Sequence, residues 1–435
     1  MSRRMNGLAL SLEQHEEHKE DEKKHDVDYS ATAEAKELDS KKDGEKIEKL
    51  HGDVDAAEES LESIGVLVDS LEAFNQSGGL DQNGGALLGM LSTAYLERAG
   101  IYGERVVPSL ESFGGTSRKT EATKLSMEGL KEMARDIWAK IVAALKKIKE
   151  WVMKQFYHYF GQAETLLKRA KELSEKARKV QSSGSAEAIN DKGLLAAIRV
   201  EGKAPTLAEI THFAEFSEGA ITKLMGVSAA DEVGAEKPDA KAIESKIAGI
   251  VQFKPVEGES GVHISDEDEA KRSDRLPGDK ALYLIAPKSA GEGRAAGMRA
   301  VSKIEVKLAA FDKKAQGEAS GEELAALSPT DAGRVGQVME RVLAEIVANR
   351  KNVSKVEEDQ NKLIARSEKE MGKAGDEADT PEAREELRAG QAMISNVRNF
   401  TVRPLNELID YTLATARRLI EYGEKSLAQH GKKAA

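Results

Sequence analysis

LKEMARDIWAKIVAALKKIKEWVMKQFYHYF, residues 130–160, is the stretch whose reading decides the fold. Apolar side chains fall at Leu130, Ala134, Ile137, Ile141, Leu145, Ile148, Val152, Phe156 and Tyr159, in steps of three and four. That is the 3.6-residue period of an amphipathic α-helix. Trp138, Val142 and Trp151 widen the stripe, and Lys131, Arg135, Lys140, Lys146, Lys147, Lys149 and Lys154 fill the remaining surface. Gly161 marks a candidate break, after which the pattern resumes over 165–180. Residues 129–180 hold 13 Lys+Arg and 6 Asp+Glu, a net of +7. The commonest role for so wide a stripe is a bundle helix packed on the C-terminal helices. Two alternatives stand beside it: an interfacial membrane helix, or non-specific DNA contact through the seven cations.

The same period recurs outward from this helix. Residues 206–225 read as one or two short helices, and 239–253 as a helix leading toward a strand. Ser328-Pro329 opens a long helix running to about residue 371, since proline suits a first helical turn. Thr380-Pro381 opens a final helical pair with a kink before Pro404. Val402, Leu405, Leu408, Ile409, Leu413, Ala416, Leu419 and Ile420 line its last apolar face. Residues 254–312 differ, being punctuated by Pro255, Gly258, Gly261, Pro277-Gly278 and Pro287. There 281–285 reads as a buried strand and 302–308 as a half-exposed one. The expected fold is mainly α: a bundle of long amphipathic helices with a small inserted antiparallel sheet and a partly disordered N-terminal region. A composition rich in Ala, Glu, Lys and Leu, with 4% aromatics, fits that class.

The N-terminal part is chemically distinct. Residues 1–128 carry 27 Asp+Glu and 15 Lys+Arg, a net of −12, whereas residues 129–435 carry 50 basic and 49 acidic side chains, a net of +1. Such asymmetry points to a segment with its own partner or fate. Residues 13–62 are highly charged, and the first half is too poor in apolar side chains to fold alone. From Lys46 the spacing turns helical through Ile47, Leu50, Val54, Leu61, Ile64, Val68 and Leu71. Residues 77–85 read as a loop, 86–100 as a short helix, and 101–128 as irregular around Pro108 and Gly114-Gly115. The expected divisions are an acidic segment 1–128, a helical region 129–253, a β-rich insertion 254–312 and a C-terminal helical bundle 313–435.

Catalytic and ligand-binding readings find little support. The chain has no cysteine, which removes disulfides and thiolate chemistry. His15, His18 and His25 lie in a solvated charge run, not on a rigid metal-binding frame. Residues 289–294 follow a strand as a dinucleotide loop would, but the third glycine of G-x-G-x-x-G comes one residue late, at Gly297. A flexible hairpin loop is the expectation there. No cofactor, metal or small-molecule substrate is expected, nor an enzyme. No window approaches the roughly 20 apolar residues of a spanning helix. The apolar run near the N-terminus is too short for a signal peptide, so a soluble protein not exported by the general route is expected.

A candidate processing site sits at the charge boundary. Ser126-Met127-Glu128 followed by Gly129 is a small-x-Glu tripeptide of the kind a Glu-directed protease cuts. The tripeptide alone is common here, recurring at Ser11-Leu12-Glu13, Ser60-Leu61-Glu62, Ser70-Leu71-Glu72, Ser109-Leu110-Glu111 and Ser185-Ala186-Glu187. Its position at 128 is set apart by the charge split, the expected loop before it and the Trp-containing helix after it.

LALSLEQ at the N-terminus, VPSLESFGG over 107–115 and TKLSMEGLKEMARDIWAKIVAALKKIKEWV over 123–152 resemble the internal head proteins of large tailed bacteriophages. The resemblance is strongest over residues 1–14 and 106–160. It implies a precursor packaged in the prohead with an N-terminal propeptide and cut after Glu by the maturation protease. The mature part then stays with the genome inside the capsid, and is ejected into the host in some cases. Carried over, Ser126 and Glu128 are the recognised residues and Gly129 the new N-terminus. The implied partners are the prohead protease, other head proteins or the capsid interior, and packaged DNA. The implied location is the virion, with the host cytoplasm before assembly and after any ejection. The competing class is an unprocessed helical scaffold or interaction protein, such as a cytoplasmic adaptor or a secreted effector.

Overall fold

The computed structural model describes residues 29–102, 107–113, 116–180, 187–250, 252–313, 324–373 and 380–431. The chain divides into two units, residues 1–49 and 50–435. The first contributes the opening turns of α1 (Tyr29–Gln76). In the second, the rest of α1 is followed by α2 (Gln82–Arg98), a 3-10 turn (Leu110–Phe113) and α3 (Thr116–Lys179). Four shorter helices come next: α4 (Lys192–Ile198), α5 (Leu207–Leu224), α6 (Ala229–Gly234) and α7 (Ala240–Ala248). The remaining helices are α8 (Arg294–Ser302), α9 (Pro329–Ala348), α10 (Val353–Lys373), α11 (Pro381–Asn396) and α12 (Val402–Gly431). The mainly helical class with a small antiparallel sheet is what the sequence led us to expect.

Helix α3 is the spine, packing along α9, α12 and α10. Its stripe is core: Leu130, Ile137, Trp138, Ile141, Leu145, Ile148, Val152, Phe156 and Tyr159 are all buried. At the α3–α9 crossing the backbones come together through small residues. A Cβ at Gly336 would lie 2.8 Å from the Ala170 carbonyl oxygen and 3.1 Å from the Ser174 nitrogen. Only glycine permits that approach.

The sheet is a four-stranded antiparallel meander, β1 (Lys254–Pro255), β2 (Asp268–Arg272), β3 (Lys280–Pro287) and β4 (Glu305–Ala310), in that order. β3 is central and buried from Ala281 onward, which accounts for its unbroken apolar run. β4 returns antiparallel beside it with Tyr283 opposite Lys307.

Four local expectations are corrected. The segment 101–128 is not irregular throughout, because α3 starts at Thr116. Thr123 and Ser126 are tolerated inside it because their hydroxyls donate to the Lys119 and Ala122 carbonyls one turn back, at 2.7 and 2.8 Å. Gly161 makes no break; buried Phe160 and Ala163 on either side carry the helix through. The helix from 328 to 371 is interrupted by a 3-10 turn (Asn349–Asn352). There the Asn349 amide turns to Thr222 Oγ1 at 3.0 Å and to the Glu345 carbonyl at 3.1 Å. The loop expected at 289–294 is present over 289–293, but it makes no direct hairpin return: it leads into α8, whose preceding Gly293 adopts a φ of 93°. The break before Pro404 is present, as a 3-10 turn (Val397–Phe400) ahead of α12.

Candidate functional site

Ser126, Glu128 and Gly129 all lie within α3. Ser126 is fully buried, Glu128 is exposed and Gly129 is half-buried. The expected loop before Glu128 is therefore absent: the 128–129 peptide bond has continuous helix on both sides. The other anchor of this region is the Leu80 N–H, which donates to Thr123 Oγ1 at 2.9 Å.

The seven cations are not gathered into one patch. Lys131 pairs with Glu72 at 3.8 Å, Lys146 with Glu368 at 2.6 Å and Lys149 with Glu357 at 3.3 Å. Lys140 donates to the Gly100 carbonyl at 2.9 Å. Arg135, Lys147 and Lys154 are exposed. Lys131, Lys140, Lys146 and Lys149 thus tie α3 to its neighbours, the three ion pairs among these links worth under about 1 kcal/mol each at an exposed rim. The apolar stripe is covered by protein, which removes the face a membrane helix needs. Among the described residues no helix is long and apolar enough to cross a membrane, and no cluster of three metal-ligating side chains occurs. The histidines at 15, 18 and 25 lie outside the described residues.

The most developed polar site is one the sequence reading missed. On α1, buried Val54, Ala57, Leu61, Ile64, Val68 and Leu71 form a seam in alternating steps of three and four, the spacing of a helix committed to helical partners. One residue further on, Asp55, Glu58, Glu62, Gly65, Asp69 and Glu72 form a second row at the same spacing. This row meets α11 and the turn after it in antiparallel order. Arg384 pairs with Glu72 and faces Asp69 at 3.6 Å. Arg388 binds Asp69 at 2.7 Å and the Gly65 carbonyl at 2.8 Å. Glu58 accepts from Ser395 at 2.7 Å and Asn396 at 2.6 Å. Arg398, 3% exposed, pairs with Asp55 and the Ser395 carbonyl, and donates to His51 Nδ1 at 3.0 Å. Gly65 is the one non-acidic member of the row, and the Arg388 guanidinium packs over it where a Cβ would lie. The rows were legible as a pattern; their partners, over 300 residues away, were not.

Burial tunes two groups in opposite senses. His51 is held down to about 3, first by burial and then by Arg398 and Arg403, so its ring is neutral and accepts from Arg398. Glu58 is pushed up to about 7, mainly by burial, with Asp55 and Glu62 adding to the rise and Ser395 and Arg398 opposing it. A histidine with a lowered folded value contributes stability present above its ordinary 6.5 and lost as pH falls toward 3. A carboxyl with a raised folded value contributes stability present below its ordinary 4.5 and lost as pH rises through 7. Between those ordinary values the two slopes cancel. Relative to wild type, Glu58→Gln is expected to make stability rise with pH over that window, and His51→Gln to make it fall. Each slope approaches about 1.4 kcal/mol per pH unit, one proton's worth. Urea unfolding at several pH values reads this directly, and identical slopes in both variants would refute it.

No curated protein and no solved structure matches the chain. A family model does, over residues 32–425, and it describes phiKZ-like phage internal head proteins. That span takes in the acidic rows of α1, all of α3 and the arginines of α11 together. The chain belongs to the family of phiKZ-like phage internal head proteins, whose place is inside the phage capsid.

Proposed function

We propose that the chain is a precursor whose segment 1–128 is an assembly propeptide, severed by cleavage after Glu128 so that the mature chain begins at Gly129. The observation that carries this is the uneven surface. Of the seven large apolar side chains exposed among the described residues, Val66, Phe74, Leu87, Met90, Tyr102 and Leu125 precede Glu128, and only Tyr157 lies beyond it. Exposed apolar groups are the side chains that a partner surface would cover. The same segment holds the −12 charge. It therefore brings both the adhesive contacts suited to assembly with other head proteins and the charge that repels incoming DNA. Removing it leaves a body of net +1 with Arg135, Lys147 and Lys154 exposed on α3, compatible with weak, salt-sensitive contact with packaged DNA.

Because the bond lies within α3, the prohead protease must act on a chain whose first α3 turns have opened or have not yet formed. Intact-mass measurement of the protein from purified particles is expected to show a chain starting at Gly129. Full-length protein in the particles, or an N-terminus far from Gly129, would favour the unprocessed interaction protein instead.

A further inference from the structure

We infer that the groove along α11 and its succeeding turn is a receptor for an acidic amphipathic helix, and that residues 50–76 stay seated in it as a separate chain after the backbone is cut. This rests on the reading that the precursor is cleaved, and concerns the fate of the two pieces after the cut.

The contacts that cross from α1 to α11 are not those of a tether. They run from His51 to Glu72, a length of about 31 Å of helix at 1.5 Å per residue. His51, Asp55, Glu58, Gly65, Asp69 and Glu72 supply polar links to Arg384, Arg388, Ser395, Asn396 and Arg398. Beside them the apolar seam from Val54 to Leu71 is buried in the continuous core. This is helix-in-groove recognition, with apolar anchors at helical spacing and charge complementarity along one edge.

The charges are divided between the two sides. Residues 50–76 contain seven Asp+Glu and neither Lys nor Arg, whereas the groove contributes the three arginines. Covalent linkage adds only an effective concentration to such a site. If the segment left, Arg398 would lose its Asp55 and His51 partners, and the apolar surface against the seam would be exposed to water. Both effects favour an occupied groove. Cleavage then produces a two-chain protein in which the acidic helix still covers the arginines, and departure of the propeptide becomes a second, separate event.

The test uses the full chain with a specific protease recognition sequence inserted between Gly114 and Gly115, ahead of α3. The protein is folded, nicked and passed over a size-exclusion column with native mass detection at about 0.15 M salt, where exposed charges are screened beyond roughly 8 Å. The nicked pieces are expected to co-elute as a one-to-one complex. In the Arg384→Glu/Arg388→Glu variant the dissociation constant of the two pieces, read from the retained fraction over a dilution series, is expected to rise at least about tenfold, equivalent to about 1.4 kcal/mol. Adding Asp69→Arg and Glu72→Arg is expected to restore it. Separation of the wild-type pieces at the same salt would overturn the inference, as would undiminished co-elution of the charge-reversed variant. Since the cut is engineered, the result stands apart from whether particles contain a chain beginning at Gly129.

Discussion

Trp138→Ala is expected to lower the unfolding free energy by about 3–5 kcal/mol, the range for deleting a large buried aromatic. Trp138 is fully buried, and its indole N–H donates to the Ser367 carbonyl at 3.0 Å, joining α3 to α10. Two losses add together. The cavity forfeits dispersion contacts on every side, and the Ser367 carbonyl, next to a fully buried side chain, loses its indole donor. Trp138→Phe separates them: it keeps most of the volume and is expected to cost about 1–2 kcal/mol for the hydrogen bond alone. In a thermal melt the alanine variant should lose roughly 3–6 °C. A loss under about 1 kcal/mol would mean that α10 does not rest on α3 in solution.

That residue also shows why the spine was readable. Trp138 sits on the 130–160 stripe, where period and side-chain type agree, and a helix with so broad an apolar face has few options but the centre of a bundle. The β3 run and the alternation in β4 were readable for the same reason: each pattern reports the faces that are buried. What escaped reading was structure set by satisfaction of polar groups. Thr123 and Ser126 look like loop residues until their hydroxyls are seen bonding to their own helix. Asn349 looks like an ordinary helical position until its amide finds Thr222. Gly161 and Gly293 show that glycine alone decides nothing, since packing carries a helix through the first and a helix begins after the second.

The acidic rows of α1 mark the same limit at longer range. Their spacing is visible in the chain, but Asp69 and Glu72 could equally have faced solvent. Only the fold brings Arg384 and Arg388 to them and lays Arg388 over Gly65, where the row is interrupted. The candidate site was thus half legible: the charge boundary near Glu128 and the distinct character of the segment before it could be read, whereas the docking of that segment on α11 could not.

Limited digestion of the folded full-length chain with a Glu-specific endoprotease is expected to cut after Glu111 about 100-fold faster than after Glu128. Both side chains are exposed, so access to the carboxylate does not separate them. The backbone does. Glu111 lies in the short 3-10 turn between α2 and α3, the kind of connection where nicking concentrates. Glu128 lies thirteen residues into α3, and a protease must draw several residues on each side into an extended strand. That opening removes the Leu80–Thr123 hydrogen bond and uncovers Ala122, Thr123, Ser126 and Leu130, none more than 2% exposed. A local opening of roughly 3 kcal/mol suffices for the ratio, because cleavage of a transiently open segment tracks its population. Mass spectrometry of a digestion time course measures the two rates, and moderate urea should raise the Glu128 rate toward the other. Equal rates in buffer would show that the first turns of α3 are open in solution and that the precursor is cleavable at Glu128 while folded. A large ratio would instead tie the proposed processing to the order of events: scission at Glu128 would have to precede completion of α3 or accompany its local opening, so that the stability of this one helix would set when the proposed precursor is cut.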